Sequence, residues 1–169
     1  LYVSVYEEDD QAFEIWETIV GIPKDRIYRF GKKDNFWQMG DTGPCGPCTE
    51  IFVDTRAQSE RSTPPTQQDF DNGSLLEVWN TVFMQYDRQT DGTLVPLKQT
   101  GVDTGMGLER ITCIMQNVDN VYETDLFTET LSSIEKLTAI TYATAKPDIK
   151  AACNVLADHV RSSSLIIAD

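Results

Sequence analysis

Apolar residues recur at two spacings in the first part of the chain, and each spacing predicts a different element. Alternation predicts a strand at residues 2–6, and helical spacing predicts a helix over residues 12–20. Glycine and proline dominate residues 40–47, which predicts a loop, and an apolar run at 50–54 predicts a strand that leaves it. The polar stretch 56–73 predicts an exposed loop. This part of the chain therefore mixes strands with helices.

Alternation returns near the middle of the chain and predicts a long strand over residues 76–86. Neither side of this strand is wholly polar, so we expect a central strand that is covered on both faces. The Asp-Gly pair at 91–92 predicts a hairpin, after which residues 93–97 return antiparallel. Glu77 and Asn80 are three residues apart and point to opposite faces unless the strand bends. Polar groups inside such a strand need a partner or a ligand.

The last third of the chain changes character. A loop is predicted at residues 98–103, and the segment 105–110 leads into a helix. Beyond residue 120 the apolar spacing is helical throughout. The pattern predicts an α+β region at residues 1–120 and an all-helical region at 121–169. His159 falls on the apolar side of the last helix, where we expect a packing role and no catalysis.

Composition and charge narrow the function. The 169 residues include 14 Lys and Arg against 27 Asp and Glu, which gives a net charge of −13. This balance disfavours a bare nucleic-acid-binding module, because phosphates are neutralised by clustered cations. No apolar run approaches the roughly 20 residues that span a bilayer, so we expect a soluble, cytoplasmic protein. The start at Leu1, without Met, suggests a piece of a longer protein.

The four cysteines allow disulfides, zinc or redox chemistry. The Cys-x-x-Cys pair Cys45 and Cys48 supplies two zinc ligands of the four required. Cys113 and Cys153 fall in separate helical patterns, so we predict no zinc site and free thiols. Redox chemistry stays open as an alternative, although the pair opens a strand and a reactive thiol is usually found at a helix N-terminus.

The segment 105–110, Gly-Met-Gly-Leu-Glu-Arg, is the strongest local signal for a ligand. Two glycines allow close approach of the backbone, a helix N-terminus attracts anions, and Arg110 adds a permanent cation. A phosphate is the ligand these features favour. The alternative is a tight turn from strand to helix with Glu109 and Arg110 in solvent.

Polar residues in the neighbouring strands add weaker signals. Glu77 is a carboxylate that can hold Mg²⁺, and Asn80 is an amide that can orient a small polar ligand. The alternative for both is a polar residue with a hydrogen-bonded partner. Asp103 is a candidate ligand group or a helix N-cap. Trp37, taken alone, is a core residue more often than a pocket wall.

Together these segments resemble one family. The residues that carry the resemblance are Asp34–Phe52, Glu77–Gln85, Val102–Arg110 and Ala157–Ser162. In that order and at that spacing, they are similar to the alanyl-tRNA synthetases, and the similarity covers nearly the whole chain.

The resemblance implies a fold, a reaction and partners. The fold would be the class II synthetase fold, an antiparallel sheet flanked by helices. Residues 1–120 would be the later half of its catalytic domain, and residues 121–169 the start of a helical tRNA-recognition region. The enzyme would be a ligase that activates alanine with ATP and Mg²⁺ to alanyl-adenylate and transfers the alanine to the 3′ end of tRNA(Ala).

The same resemblance implies roles for single residues. Arg110 and Glu77 would be catalytic, with Arg110 and Gly107 on ATP and Glu77 on ATP and Mg²⁺. The alanine pocket would consist of Trp37, Asn80, Asp103 and Gly105. Asp103, as a buried carboxylate, would bind the substrate ammonium, and Gly105 would leave space for the methyl group beside Trp37.

The chain also departs from the family. The first two class II motifs would precede Leu1, so we expect the chain by itself to be inactive. The loop at Gly31–Asp34 is shorter than the family leads one to expect. Two hypotheses remain: part of an alanine-activating enzyme, or a synthetase-like binding or regulatory module without activation. Glycine and serine would fit a small pocket almost as well as alanine, because one methyl group is worth only about 1–3 kcal/mol.

Overall fold

A six-stranded sheet forms most of the first part of the chain in the computed structural model, which describes residues 1–169. The strands are β1 (Tyr2–Tyr6), β2 (Ile27–Phe30), β3 (Phe36–Gln38), β4 (Gly43–Asp54), β5 (Leu75–Arg88) and β6 (Leu94–Met106). They lie in the order β2-β1-β4-β5-β6, and the short β3 pairs with β4. β1 and β2 are parallel, whereas every other pair is antiparallel. The predicted antiparallel sheet is confirmed, with one parallel pair at its edge.

Six helices accompany the sheet. They are α1 (Asp10–Glu14), which continues as a π-helix over Ile15–Val20, α2 (Lys32–Asn35), α3 (Gln67–Asp71), α4 (Leu108–Gln116), α5 (Asp125–Thr138) and α6 (Pro147–Ala168). Single 3₁₀ turns lie between them. No helix is long and apolar enough to cross a membrane.

The chain divides into two compact units, Leu1–Gly107 and Leu108–Asp169. The first unit holds the sheet with α1 to α3, and the second consists of α4 to α6. The α+β class with a following helical segment is therefore confirmed. The functional boundary near residue 120 is a different division and stays a prediction.

Helix α1 covers one face of the sheet. The Asp9 side chain caps the helix by accepting a hydrogen bond from the Ala12 N–H at 2.9 Å. Gly21, with a φ of 81°, ends the helical run, as glycine does at left-handed caps. Ala12 packs in a buried core with Val3 and Val5 of β1. The predicted helix is confirmed, although its second half is π-helical.

An aromatic cluster packs on the other face. Phe70 of α3 contacts the rings of Tyr28, Phe30 and Phe52, with centroids 4.8, 5.0 and 5.0 Å away. Leu75 at the start of β5 is buried in the same cluster. Offset and edge-on contacts between rings add to the stability that burial provides. The cluster fixes α3 against the sheet.

The predicted exposed loop at 56–73 is wrong in part. Arg56 is buried, and its Nε and Nη2 atoms donate to the Asp54 carboxylate at 3.0 and 2.8 Å. Arg56 Nη2 also donates to the Thr63 carbonyl oxygen at 3.1 Å. This two-pronged ion pair ties the loop to the end of β4, and the loop then contributes α3. The polarity of residues 56–73 did not show whether the loop is held by an ion pair or is free in solvent.

Two other predicted loops belong to strands. β4 begins at Gly43, inside the predicted loop 40–47, and β6 includes all of 98–103. β4 and β6 pair with β5 on either side, so backbone hydrogen bonds override weak strand propensity. Pro47 has no N–H to donate, and it lies where the β4–β5 register shifts.

The helical unit packs through small side chains. Cys153 and Ala157 of α6 are buried against Phe127 and Leu131 of α5. They lie four residues apart on one side of α6, where small groups let the helices approach closely. The predicted apolar stripe of α6 lies elsewhere, and His159 on it is exposed. The expected packing role of His159 is therefore wrong in this chain.

Candidate active site

A bulge in β5 decides which side chains share a face. Trp79 lies opposite Ile51 of β4, yet Phe52 lies opposite Glu77, so one residue of β5 is extra and the register shifts. A bulge resets the alternation of side chains along the strand that contains it. Glu77 and Asn80 therefore lie on the same face, although they are three residues apart. From the sequence, these two side chains could share a face only if the strand bends, and the bulge supplies that bend.

β6 brings two more predicted residues to this face. Gly105 lies opposite Asn80, and Asp103 lies opposite Val82, in the antiparallel register of β5 and β6. Residues opposite each other in such a pair project to the same side of the sheet. We call the face that carries Glu77, Asn80, Asp103 and Gly105 the polar face. Four of the predicted site residues are thus brought together.

A hydrogen-bonded network lies on the polar face between β1, β4 and β5. Asn80 Nδ2 donates to Glu50 Oε1 at 3.1 Å, and Ser4 Oγ donates to Glu50 Oε2 at 3.4 Å. Asn35 Nδ2 donates to Ser4 Oγ at 2.8 Å, and both Ser4 and Asn35 are completely buried. The Oδ1 atom of Asn80 is shielded from solvent and has no hydrogen-bond partner. The Oδ1 atom of Asn35 likewise has no hydrogen-bond partner. Two acceptors of the network therefore remain unsatisfied, and each costs free energy until a donor reaches it.

Cys48 lies against this network. Its Sγ atom is 4.0 Å from Asn35 Nδ2 and 3.9 Å from the Asp34 carbonyl oxygen. Burial, together with the nearby Glu50 carboxylate, raises the pKa of the Cys48 thiol from 9.0 to about 11. A thiol with a raised pKa stays protonated near neutral pH, and redox chemistry needs the thiolate. The alternative of a redox motif at Cys45 and Cys48 is disfavoured.

A cavity of about 390 Å³ opens beside the network. Glu50 and Glu77 line it together with Phe52 and Phe70, and Lys33 and Asp71 lie at its polar wall. Glu77 thus borders both the cavity and the polar face. The cavity combines aromatic rings with several carboxylates, and its volume lies within the range of small-molecule sites.

Gly105 of the polar face and Gly46 of β4 differ in whether the fold requires a glycine. A Cβ atom at position 105 would meet no atom within 4 Å, so the chain itself does not demand glycine there. A Cβ atom at position 46 would lie 1.9 Å from the Phe83 carbonyl oxygen. Trp37 on β3 is half-buried and lies opposite Gly46. Open space at Gly105 fits the expectation that this residue leaves room for a ligand.

Asp103 differs from one expectation. It is exposed in this chain, so the predicted burial of its carboxylate is wrong here. It lies within β6, which also excludes the helix N-cap alternative. Its Oδ1 atom accepts a hydrogen bond from the Thr104 N–H at 2.9 Å. This bond holds the carboxylate at the surface of the polar face.

The glycine-containing segment 105–110 joins the two units. The Gly107 N–H donates to the carbonyl oxygen of Val78, the residue inside the bulge, at 3.2 Å. That N–H is therefore committed within the chain. Arg110 lies exposed in the first turn of α4, and its neighbour Glu109 pairs with Arg161 at 2.9 Å. The alternative in which Glu109 is only solvated is wrong.

The sequence patterns assigned no functional role to Glu50, Ser4 or Asn35. The run at 50–54 predicted a strand but assigned no function to its first residue. One signal was present, because Glu50 lies two residues before Phe52 and so projects with it to the packed side of the strand. A carboxylate at such a position needs a partner in the same way as Glu77 and Asn80.

Comparison with family models assigns residues 1–169 to the family described as tRNA synthetases class II (A). The chain belongs to this family. The class II synthetase relatives include the alanine–tRNA ligase of Idiomarina loihiensis, which is 51% identical over 169 residues. That alignment covers 100% of this chain and 19% of the relative, so the chain spans about a fifth of the relative's length. The resemblance to the alanyl-tRNA synthetases is thereby confirmed.

Residues 1–169 contain no group of three or more His, Cys, Asp or Glu side chains arranged to hold a metal ion. A single carboxylate such as Glu77 matches the way Mg²⁺ binds with nucleotides, through one or two carboxylates and the phosphates.

Proposed function

We propose that this chain forms part of the aminoacylation site of an alanine–tRNA ligase. The enzyme activates alanine with ATP to alanyl-adenylate and transfers the alanine to the 3′ end of tRNA(Ala). The observation that carries the proposal is the polar face, where the β5 bulge and the β6 register collect Glu77, Asn80, Asp103 and Gly105. The identity of 51% to an alanine–tRNA ligase supports the enzyme over a module without activation.

The amino acid binds on the β5–β6 part of the polar face. Asp103 supplies the negative charge for the substrate ammonium, and Asn80 supplies the unpaired Oδ1 acceptor. The open space at Gly105 takes the methyl group, with Trp37 as a further wall. A pocket of this kind selects for size, because a larger side chain meets backbone and ring atoms.

ATP binding involves Glu77 of β5 together with Gly107 and Arg110 of the glycine-containing segment. Arg110 neutralises phosphate charge, and Gly107 lets the backbone pass close to the nucleotide. Glu77 would help to hold Mg²⁺, which would screen the charge of the phosphates. The aromatic and acidic cavity that Glu77 lines lies on the same side of the sheet.

The chemistry needs positioning rather than a protein nucleophile. An oxygen of the alanine carboxylate attacks the α-phosphorus of ATP, and the bond from that phosphorus to pyrophosphate breaks. A hydroxyl at the 3′ end of tRNA then attacks the carbonyl carbon of alanyl-adenylate, and AMP leaves. Asp103 and Asn80 fix the amino acid, while Arg110 and Glu77 align the phosphates; charge neutralisation and alignment provide the acceleration.

The test is exchange of labelled pyrophosphate into ATP by the full-length protein that contains this chain. We expect exchange that depends on alanine, and a lower kcat/KM with glycine and with serine. Exchange that prefers glycine or serine would correct the substrate. Binding of ATP with no exchange for any of the three amino acids would contradict the enzyme and favour the binding module.

A further inference from the structure

Glu50 receives two hydrogen-bond donors, one on each carboxylate oxygen. Asn80 Nδ2 lies 3.1 Å from Oε1, and Ser4 Oγ lies 3.4 Å from Oε2. The direction of the second bond is fixed by Asn35, whose Nδ2 already donates to Ser4 Oγ at 2.8 Å. The Ser4 hydroxyl hydrogen is therefore directed to Glu50. Asn80 and Ser4 therefore both act as donors to the Glu50 carboxylate.

A carboxylate is the group that satisfies this arrangement. It accepts hydrogen bonds on both oxygens and carries no hydrogen of its own when ionised. A glutamine of the same shape would place its NH₂ against one of the two donors. Since Ser4 and Asn35 are completely buried, neither can turn to solvent to relieve such a clash.

The same arrangement fixes the orientation of the Asn80 amide. Because its NH₂ group faces the Glu50 carboxylate, its Oδ1 atom is left as the acceptor, and this atom has no partner in the chain. Turning the amide by 180° would set its oxygen against the carboxylate. Asn80 is thus held with an acceptor ready for a positively charged donor.

We propose that Glu50 is a positioning residue for amino-acid binding, and that the chain Asn35–Ser4–Glu50 holds the Asn80 amide so that its oxygen accepts the ammonium of alanine. This inference rests on the proposed function. Glu50 acts through Asn80 and does not itself contact the amino acid. Replacement of Glu50 should therefore raise the KM for alanine and leave the KM for ATP unchanged.

The first experiment replaces Glu50 in the full-length protein and measures pyrophosphate exchange. Glu50→Gln should raise the KM for alanine about tenfold, as expected when one donor loses its acceptor, with the KM for ATP unchanged within about twofold. Glu14→Gln, at an exposed position of α1, is the matched control and should change neither. If Glu50→Gln fails to fold, Ser4→Ala removes one donor without adding a clash and should raise the KM for alanine in the same direction.

A second experiment separates positioning from general support of the fold. In an Asn80→Asp background, two carboxylates face each other, and Glu50→Gln would restore a donor–acceptor pair. Glu50→Gln should therefore lower the KM for alanine in the Asn80→Asp protein, whereas it should raise the KM for alanine in the protein that retains Asn80. A reversal of sign of this kind shows direct coupling of the two side chains.

These measurements separate a failure of the role proposed for Glu50 from a failure of the proposed function. An unchanged KM for alanine in Glu50→Gln, or a change of the same sign in both backgrounds, would overturn the role of Glu50 alone. Equal increases in the KM for alanine and for ATP would also overturn it and assign Glu50 to the fold. Absence of alanine-dependent exchange in the unmodified protein would overturn the proposed function, and the role of Glu50 with it.

Discussion

Gly46 of β4 and Phe83 of β5 approach so closely that a Cβ atom at position 46 would lie 1.9 Å from the Phe83 carbonyl oxygen. The obstacle is backbone, which cannot move aside without breaking the pairing of two strands. At Gly105, by contrast, a Cβ atom would meet nothing within 4 Å. The fold requires the first glycine, whereas no contact within the chain requires the second.

This contrast gives a matched pair of substitutions. Gly46→Ala should lower the free energy of unfolding by at least about 2 kcal/mol, because the clash forces the strands apart. Gly105→Ala should change it by less than about 1 kcal/mol and raise the KM for alanine about tenfold or more, since the added methyl group occupies the pocket. Denaturant unfolding and pyrophosphate exchange measure the two effects. Normal alanine kinetics in a well-folded Gly105→Ala protein would contradict the proposed pocket.

Replacement of Asp103 should weaken the binding of alanine and leave the binding of ATP unchanged. Asp103→Ala removes the charge proposed to bind the ammonium, so the KM for alanine should rise about a hundredfold, with the KM for ATP within about twofold. Asp25→Ala, another exposed aspartate of the first unit, is the control. Equal losses for both substrates would show that Asp103 supports the fold instead.

The thiol of Cys48 should be inert in the native protein. Burial raises its pKa from 9.0 to about 11, so the folded state keeps its proton in a pH range where the unfolded chain loses it. Stability linked to Cys48 is therefore complete below pH 9 and declines as the pH rises toward 11. Iodoacetamide labelling should be slow at pH 8 and become fast on unfolding. Rapid labelling of native Cys48 at pH 8 would show an accessible thiolate.

Metal content should not depend on the Cys-x-x-Cys pair. Replacement of Cys45 and Cys48 by Ser should leave the zinc content of the purified full-length protein unchanged, because both thiols lie within a strand and are free. Metal analysis of the two proteins, prepared in parallel, makes the comparison. Loss of one equivalent of zinc on replacement would establish a site at these cysteines.

Arg56 should be a strong determinant of stability. Arg56→Met leaves the Asp54 carboxylate, whose side chain is 10% exposed, without its ion-pair partner, which should lower the free energy of unfolding by about 3 kcal/mol at pH 7. Hydrogen bonds from Arg56 hold the pKa of Asp54 below its usual value of 3.8. The contribution is present above that value and is lost as the pH falls through the lowered pKa.

The difference in the free energy of unfolding between the unmodified protein and Arg56→Met should therefore shrink as the pH falls. Arg56→Lys is the control, because it keeps the charge but not the two-pronged contact, and it should lose less stability. Urea unfolding between pH 7 and pH 3 measures both variants. A difference that does not vary with pH would assign the effect of Arg56→Met to packing instead of the ion pair.

Regular elements of the fold could be predicted where side-chain pattern and turn chemistry agreed. The alternation along β5 and the Asp-Gly pair at 91–92 indicated a hairpin, and the structure has one. The later part of β6 could not be predicted, because Gly101 and Gly105 have weak strand propensity and are held by pairing with β5. Pairing with β5, and not local propensity, determines the strand conformation of this segment.

The sequence indicated candidate site residues but not how they are arranged. Glu77 and Asn80 stood out as polar positions, but the bulge that brings them together adds one residue to β5 and leaves no mark in a strand with apolar residues on both sides. Glu50 was missed because its partners, Ser4 and Asn80, come from different strands. Only the register of the sheet shows that they meet.

The hairpin of β5 and β6 also implies an order of assembly. Five residues connect Arg88 to Leu94, so the pairing that sets Asn80 opposite Gly105 closes over a short loop. Ser4 reaches Glu50 across a sequence separation of 46 residues. Short loops cost less entropy to close, and contacts of low sequence separation form early. We therefore expect the β5–β6 hairpin, which carries Asn80, Asp103 and Gly105, to form first, and the docking of β1, which brings Ser4 to Glu50, to follow.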